Sequence, residues 1–99
     1  MNKLLNIHEE RYSQSVNYNI HIFGSFIKDK FIIIDLRYEH ARARECSTMS
    51  FETLYNIIEY LNGVGIQIDG DYLDHSKAKL CQLLYDIFTE NRLILKGDF

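Results

Sequence analysis

Residues 16–39 read VNYNIHIFGSFIKDKFIIIDLRYE, and apolar residues mostly alternate with polar ones along this stretch. Such alternation is typical of β-strands that have one face in the core and the other in solvent. The pattern breaks at Lys28, Asp29 and Lys30, where charged side chains and a turn-forming aspartate predict a hairpin turn. The sequence therefore predicts two antiparallel strands that are joined at this turn.

The second strand of the predicted hairpin is more apolar than the first. The first strand has its apolar residues on one face, from Tyr18 to Ile22. The second strand begins with apolar residues on both faces: Phe31, Ile32, Ile33 and Ile34. A strand of this kind is expected at the centre of a sheet or beneath a helix. We expect the helices to cover the face that contains Ile32, Ile34 and Leu36.

The limits of these strands are predicted from local chemistry. Gly24 and Ser25 interrupt the first strand and predict a bulge or a sharp bend. The second strand is expected to extend as far as Glu39. Residues 41–45 are compatible with an extension of this strand or with the start of a loop, and their pattern leaves both interpretations open.

Two amphipathic helices are predicted after the hairpin. Ser50 is the expected N-cap of the first, which ends at Gly63 and has its apolar stripe at Phe51, Leu54, Tyr55, Ile58 and Leu61. Asp74 is the expected N-cap of the second, which ends at Asn91 and has its apolar stripe at Leu80, Leu83, Leu84, Ile87 and Phe88. Short strands are predicted at residues 64–68 and 93–95, and a short helix at residues 3–12.

These elements predict one α+β domain over residues 1–99, in which helices pack on one face of a small antiparallel sheet. The length and the 46% hydrophobic content suit a single core. A winged helix is the alternative, with the two helices followed by a wing at Arg92 to Leu95. Its weak point is charge, because Asp86 and Glu90 on the second helix would repel DNA phosphates.

The charge distribution disfavours non-specific nucleic-acid binding. The net charge is −3, and residues 46–99 hold four Lys and Arg against eight Asp and Glu. Cys46 and Cys81 form no CxxC pair, and no apolar stretch reaches membrane-spanning length. We therefore expect a cytoplasmic protein with free thiols, of which Cys81 lies on an apolar stripe and Cys46 is the less buried. A disulfide between them remains open.

The basic cluster of the chain combines three arginines with a tyrosine and a histidine: Arg37, Tyr38, His40, Arg42 and Arg44. Guanidinium groups suit carboxylates and phosphates, and a neighbouring tyrosine ring can stack on a base. We place a partner-binding or anion-binding site here. The alternative is a solvated rim in which Glu39 and Glu45 neutralise the arginines.

The most acidic segment contains Asp69, Asp71 and Asp74, which we interpret as an acidic surface. An EF-hand is excluded, because Leu80 occupies the twelfth position from Asp69, where a glutamate ligand is required. A turn at Asp69 and a helix cap at Asp74 explain these residues more simply than a metal site. No metal, cofactor or catalytic residue is predicted.

These observations favour a non-enzymatic protein that binds a partner protein, as an immunity factor, an antitoxin-like inhibitor, a phage-encoded blocker of a host defence or an adaptor does. An acidic surface with exposed tyrosines suits a basic partner, such as a nucleic-acid-handling protein. One alternative is a nucleic-acid-binding regulator that uses the arginines. Another is a small metal-dependent hydrolase that uses Asp69, Asp71 and His75. A monomer and a homodimer, the latter paired through residues 18–22 or 93–95, are both compatible with the sequence.

Overall fold

The computed structural model describes residues 19–95. Three antiparallel strands form one sheet in the order β1-β2-β3, with β1 at Ile22–Ile27, β2 at Lys30–Asp35 and β3 at Arg42–Glu45. A 3-10 helix at Cys46–Thr48, helix α1 at Phe51–Gly63, a 3-10 helix at Gly70–Asp74 and helix α2 at Lys77–Glu90 follow in that order. This is the predicted small α+β fold. The winged-helix alternative required a hairpin wing after α2, and the described part of the chain forms none there. The helix predicted at residues 3–12 lies outside the described residues.

The hairpin turn is confirmed as a two-residue turn. Lys28 and Asp29 have φ of 52° and 65°, which are the left-handed values that a tight hairpin turn requires. Lys30 belongs to β2 and pairs with Ile27. The first strand begins at Ile22, later than its apolar pattern predicted.

Gly24 lies within an unbroken ladder, so the predicted bulge is wrong. A Cβ atom at this position would lie 2.7 Å from ring atoms of both Phe31 and Phe88. Glycine is therefore required here for close packing between the sheet and α2 rather than for a bend.

The helices cover the opposite face of β2 from the predicted one. Successive side chains along a strand point to opposite faces. Phe31 and Ile33 therefore lie on one face of β2, and Ile34 lies on the other. The ring of Phe88 on α2 lies 5.7 Å from the ring of Phe31, which places α2 on that face. Alternation could not distinguish the two faces, because both Ile33 and Ile34 are fully buried. The position of β2 at the centre of the sheet is as predicted.

The N-cap of α1 is confirmed, whereas that of α2 is a different residue. The Ser50 hydroxyl accepts a hydrogen bond from the Thr53 N–H at 3.2 Å. At α2 the Ser76 hydroxyl accepts from the Lys79 N–H at 3.3 Å, so the prediction that Asp74 caps α2 is wrong. Asp74 instead ends the preceding 3-10 helix.

The strand predicted at residues 64–68 is absent, because this segment terminates α1. Gly65 has a φ of 104° and donates its N–H to Asn62 O, while the Ile66 N–H reaches Leu61 O at 3.0 Å. This pair of bonds is the Schellman motif, which satisfies the last carbonyls of a helix. The backbone groups of this turn are therefore committed to α1.

The segment after α2 returns to the sheet. Ile94 forms a parallel bridge with Gly24, so the strand predicted at residues 93–95 is reduced to a single bridge on the outer edge of β1. Leu93 and Leu95 join a single buried cluster that also includes residues of β1, β2 and both helices. Neither helix within residues 19–95 has the length and apolar character needed to cross a membrane.

Candidate functional site

A cleft of about 160 Å³ lies between the sheet and α1, at the β2–β3 connection. Its walls come from the sheet, from the connection, from the segment between β3 and α1 and from α1 itself: Ile33, Asp35, Arg37, Tyr38, Arg42, Arg44, Met49, Thr53, Asn56 and Ile57. Four of the five residues predicted for the basic site therefore line one cleft. His40, the fifth, is exposed outside it.

The chain leaves β2 at Asp35, and this places Arg37 in the cleft. The Asp35 carboxylate accepts a hydrogen bond from the backbone N–H of Arg37 at 3.0 Å. A side chain that bonds to the backbone two residues later forms an Asx-turn, which replaces the strand ladder. The prediction that β2 extends to Glu39 is wrong for this reason.

Arg37 is held by Asp35 and by an aromatic ring. Its Nε and Nη2 atoms donate to the two carboxylate oxygens at 2.9 and 2.7 Å, and its guanidinium carbon lies 4.8 Å from the centre of the Tyr60 ring. The hydrogen bond to Asp35 raises the pKa of Arg37 above its usual value. This arginine is therefore neutralised and fixed in position.

Tyr60 is itself fixed by hydrogen bonds that its hydroxyl group donates and accepts. The hydroxyl donates to Asn19 O at 2.7 Å and accepts from the His21 N–H at 3.1 Å. The ring that supports Arg37 is thus anchored to the segment that precedes β1.

Arg42 and Arg44 have no ion pair in the part of the chain that the structure describes. Both are exposed and both lie on the face of β3 that points into the cleft. The guanidinium carbon of Arg42 lies 3.9 Å from the centre of the Tyr38 ring, within cation–π range. These two arginines therefore present positive charge that is not paired with a carboxylate of the described residues.

Within residues 19–95, neither Glu39 nor Glu45 forms an ion pair with these arginines, as the alternative of a neutralised rim had expected. Glu45 lies 3.9 Å from Lys30 and accepts a hydrogen bond from Ser47, so its carboxylate points away from the arginines. Glu39 is exposed and forms no ion pair among residues 19–95. The cleft thus contains three guanidinium groups and one carboxylate.

The remaining polar groups of the cleft come from α1. Thr53 and Asn56 present a hydroxyl and an amide opposite the arginines. Neither residue was identified from the sequence, nor was Asp35. Thr53 and Asn56 are three residues apart, so they lie on the same side of α1, next to the buried Ile57. This spacing is the sequence signal that could have identified the two residues. Such a set can donate several hydrogen bonds to one carboxylate or phosphate group.

The acidic surface does not assemble into a metal site. Asp69, Asp71 and Asp74 are all exposed on or beside the 3-10 helix Gly70–Asp74. Within residues 19–95, no three side chains of the types that ligate metals come together. The hydrolase alternative, which used His75 as well, therefore has no supporting cluster in the described residues.

The two cysteines are free thiols, and Cys46 is the buried one. Its side chain is 1% exposed, whereas Cys81 is half-buried, so the expectation that Cys46 is the less buried is wrong. Burial raises the pKa of Cys46, and a hydrogen bond with Cys81 adds to this effect. A thiol in this state is a poor nucleophile.

A second groove lies at the opposite end of the sheet and is mainly apolar. Its volume is about 490 Å³, and Phe26, Tyr85, Thr89, Arg92 and Ile94 line it. Phe26 is 46% exposed there and packs edge-on against Tyr85 at 5.3 Å. The sequence pattern had not predicted a groove at these residues. No family model, curated protein or solved structure matches this chain.

Proposed function

We propose that this chain is a non-enzymatic protein-binding domain, an inhibitor or an adaptor, and that its arginine-lined cleft receives carboxylate groups of a partner protein. One observation supports this proposal above all others: Arg42 and Arg44 are exposed, line the same cleft and form no ion pair with any carboxylate of residues 19–95. Hydrogen bonds between guanidinium and carboxylate groups are about twice as strong as those between neutral groups. A partner carboxylate would complete this arrangement.

The surroundings of the two arginines suit a protein surface. Tyr38 is 47% exposed and lies beneath Arg42, so the arginine is already ordered before binding. Ordering a long side chain in advance removes part of the entropy cost of association. Tyrosine and arginine are also the residues that contribute most binding energy at protein interfaces.

The acidic surface is the second contact in this proposal. Asp69, Asp71 and Asp74 are exposed, and the chain has a net charge of −3. Such a surface steers a protein toward basic partners, such as those that handle nucleic acid. We place this activity in the cytoplasm, because free thiols are typical of a reducing compartment.

The test is capture of partners from nuclease-treated native lysate by three versions of the tagged protein. The wild type and the control pair Lys77→Glu and Lys79→Glu, which lies on α2 away from the cleft, are expected to retain the same stoichiometric protein. The pair Arg42→Glu and Arg44→Glu is expected to lose it. Equal retention by all three versions would contradict the proposal.

A nucleic-acid-binding regulator is the second candidate, and the exposed ring of Tyr38 favours it. The guanidinium carbons of Arg42 and Arg37 lie 3.9 and 5.9 Å from the centre of this ring, and a base could stack on the part of the ring that is exposed. The expected signature is binding that weakens steeply with salt, with a smaller slope for Arg42→Ala. Binding that is independent of salt would exclude it.

A further inference from the structure

The hydrogen bonds of Gly24 show in which direction the backbone N–H and C=O groups of each strand point. Gly24 donates its N–H to Leu93 O at 2.8 Å and accepts from the Leu95 N–H at 2.7 Å, so both of its groups point away from β2. Its partner Ile33 therefore forms no hydrogen bonds with it and directs its own N–H and C=O toward β3. This alternation fixes which groups of β3 face outward.

Ala43 presents an open hydrogen-bonding edge. Ile33 lies opposite Arg44 and pairs with it, so the next residue, Ala43, points its N–H and C=O away from β2. No hydrogen bond reaches these two groups from anywhere in residues 19–95. The outward C=O of Glu45 is different, because it accepts from the Thr48 hydroxyl at 2.7 Å.

The opposite edge of the sheet is already occupied at its centre, at Gly24. Leu93 and Leu95 bond to the outward groups of Gly24 on β1, and Ile94 forms the bridge between them. Among the described residues, the centre of the β1 edge is therefore closed, whereas the centre of the β3 edge, at Ala43, is open.

We propose that an extended acidic segment of the partner adds to β3 as a fourth, antiparallel strand. This proposal rests on the proposed function and specifies how the partner uses the cleft. A strand that pairs with Ala43 would place its two flanking residues opposite Arg42 and Arg44. Directly opposite residues share a face, so these flanking side chains point into the cleft. Each flanking residue and the arginine opposite it would form no backbone hydrogen bonds with each other. In antiparallel sheets, side chains approach most closely in pairs of this kind.

The recognised pattern is therefore acidic, apolar, acidic. The two acidic residues meet the unpaired arginines, and the central residue lies across from the small side chain of Ala43 on the other face. Addition of a strand to a sheet edge provides affinity through main-chain bonds and specificity through alternate side chains.

A second copy of this chain is a poor occupant of the same edge. If two β3 strands paired antiparallel in one continuous sheet, opposite residues would come from the same face. Arg42 would then face Arg42 or Arg44 of the other copy. Like charges directly opposite each other destabilise strand pairing, so the arginines select against self-association here.

The test begins with three capped peptides titrated into the full chain and followed by backbone amide NMR. The first is Thr-Thr-Glu-Val-Glu-Thr-Thr, and we expect it to bind below about 1 mM and to slow hydrogen exchange at Ala43. The second, Thr-Thr-Glu-Glu-Val-Thr-Thr, places its carboxylates on opposite faces. The third is the first peptide with an N-methyl group on valine. We expect each of these two to bind at least about fivefold more weakly.

Two variants of Ala43 test the same edge from the protein side. Ala43→Pro removes only an outward N–H, and proline is tolerated at such edge positions, so the fold is expected to persist. It should weaken the first peptide at least about fivefold, whereas Ala43→Val, which retains the N–H, should not. If Ala43→Pro fails to fold, the N-methyl peptide on the wild type decides the question.

The possible outcomes separate this inference from the proposed function. Failure of the first peptide to bind at about 1 mM, or equal binding of all three peptides, overturns strand addition. If Arg42→Glu with Arg44→Glu still loses the captured partner in that case, the cleft proposal stands without it. The pair Arg42→Glu and Arg44→Glu is also titrated with the first peptide, and if it changes neither the capture of the partner nor the binding of the peptide, both proposals are wrong.

Discussion

Arg42 lies directly opposite Asp35 in the β2–β3 ladder, but it does not form an ion pair with it. Both carboxylate oxygens of Asp35 accept hydrogen bonds from Arg37, at 2.9 and 2.7 Å. Asp35 therefore ends β2, fixes Arg37 and leaves the charge of Arg42 unopposed. The cleft is positively charged because it contains three guanidinium groups and this single carboxylate, which one arginine engages.

Substitution of Asp35 is expected to change stability and binding in opposite directions. Asp35→Asn keeps an acceptor for the Arg37 N–H but loses the charge, so we expect the free energy of unfolding to fall by about 1 kcal/mol. The added net positive charge should tighten binding of the Glu-Val-Glu peptide by about two- to fivefold. Urea denaturation and peptide titration measure the two effects. Weaker peptide binding would show that Asp35 helps to order the site rather than limiting its charge.

Gly24→Ala is expected to lower the free energy of unfolding by about 1–3 kcal/mol. The new Cβ would lie 2.7 Å from atoms of two packed rings, those of Phe31 and Phe88. Gly63→Ala is the matched control, since a Cβ added there would have no atom within 4 Å, and it should be neutral or stabilising by up to about 1 kcal/mol. Urea denaturation of both variants provides the comparison, and equal stability would refute the close-packing explanation.

The cap of α2 can be assigned by a pair of alanine variants. Ser76→Ala removes the acceptor for the Lys79 N–H and should cost about 1 kcal/mol of folding free energy. Asp74→Ala, two residues earlier, should change stability by less than about 0.5 kcal/mol, because its side chain makes no cap hydrogen bond. Thermal denaturation is sufficient to compare them. A larger loss for Asp74→Ala would restore the assignment that the sequence suggested.

Stability should fall at alkaline pH because of Cys46. Burial raises the pKa of its thiol in the folded protein, so its contribution is complete below the unfolded pKa of about 8.5 and is lost as the pH rises above that value. Between pH 7 and pH 9.5 we expect the wild type to lose about 1 kcal/mol more than Cys46→Ala does. Urea denaturation at both pH values gives the difference. Parallel losses in the two proteins would show that Cys46 ionises normally.

Local chemistry explains which parts of the fold could be predicted from sequence. The turn at Lys28 and Asp29 and the cap at Ser50 depend on residues within a few positions, so their signals survive in the sequence alone. The face of β2 that meets the helices depends on tertiary packing. Ile33 and Ile34 are equally apolar, and only the position of α2 distinguishes them.

The charged residues of the candidate site were predictable from the sequence, but the ion pair that forms among them was not. The basic residues around Tyr38 were evident, because arginines clustered next to an aromatic residue form a visible pattern. Which arginine would be neutralised depends on the Asx-turn at Asp35, which bends the chain and brings Arg37 onto its carboxylate. Thr53 joins the cleft only through the placement of α1, a contact between distant parts of the chain.

The most direct test of the central claim is to follow the arginine Nε–Hε NMR signals while the Glu-Val-Glu peptide is added. We predict that the signals of Arg42 and Arg44 shift on binding, because these groups are unpaired. The signal of Arg37, already bonded to Asp35, should change little, and Arg92, outside the cleft, should not change. Shifts at Arg37 alone, or equal small shifts at Arg37, Arg42, Arg44 and Arg92, would contradict the proposed role of the cleft.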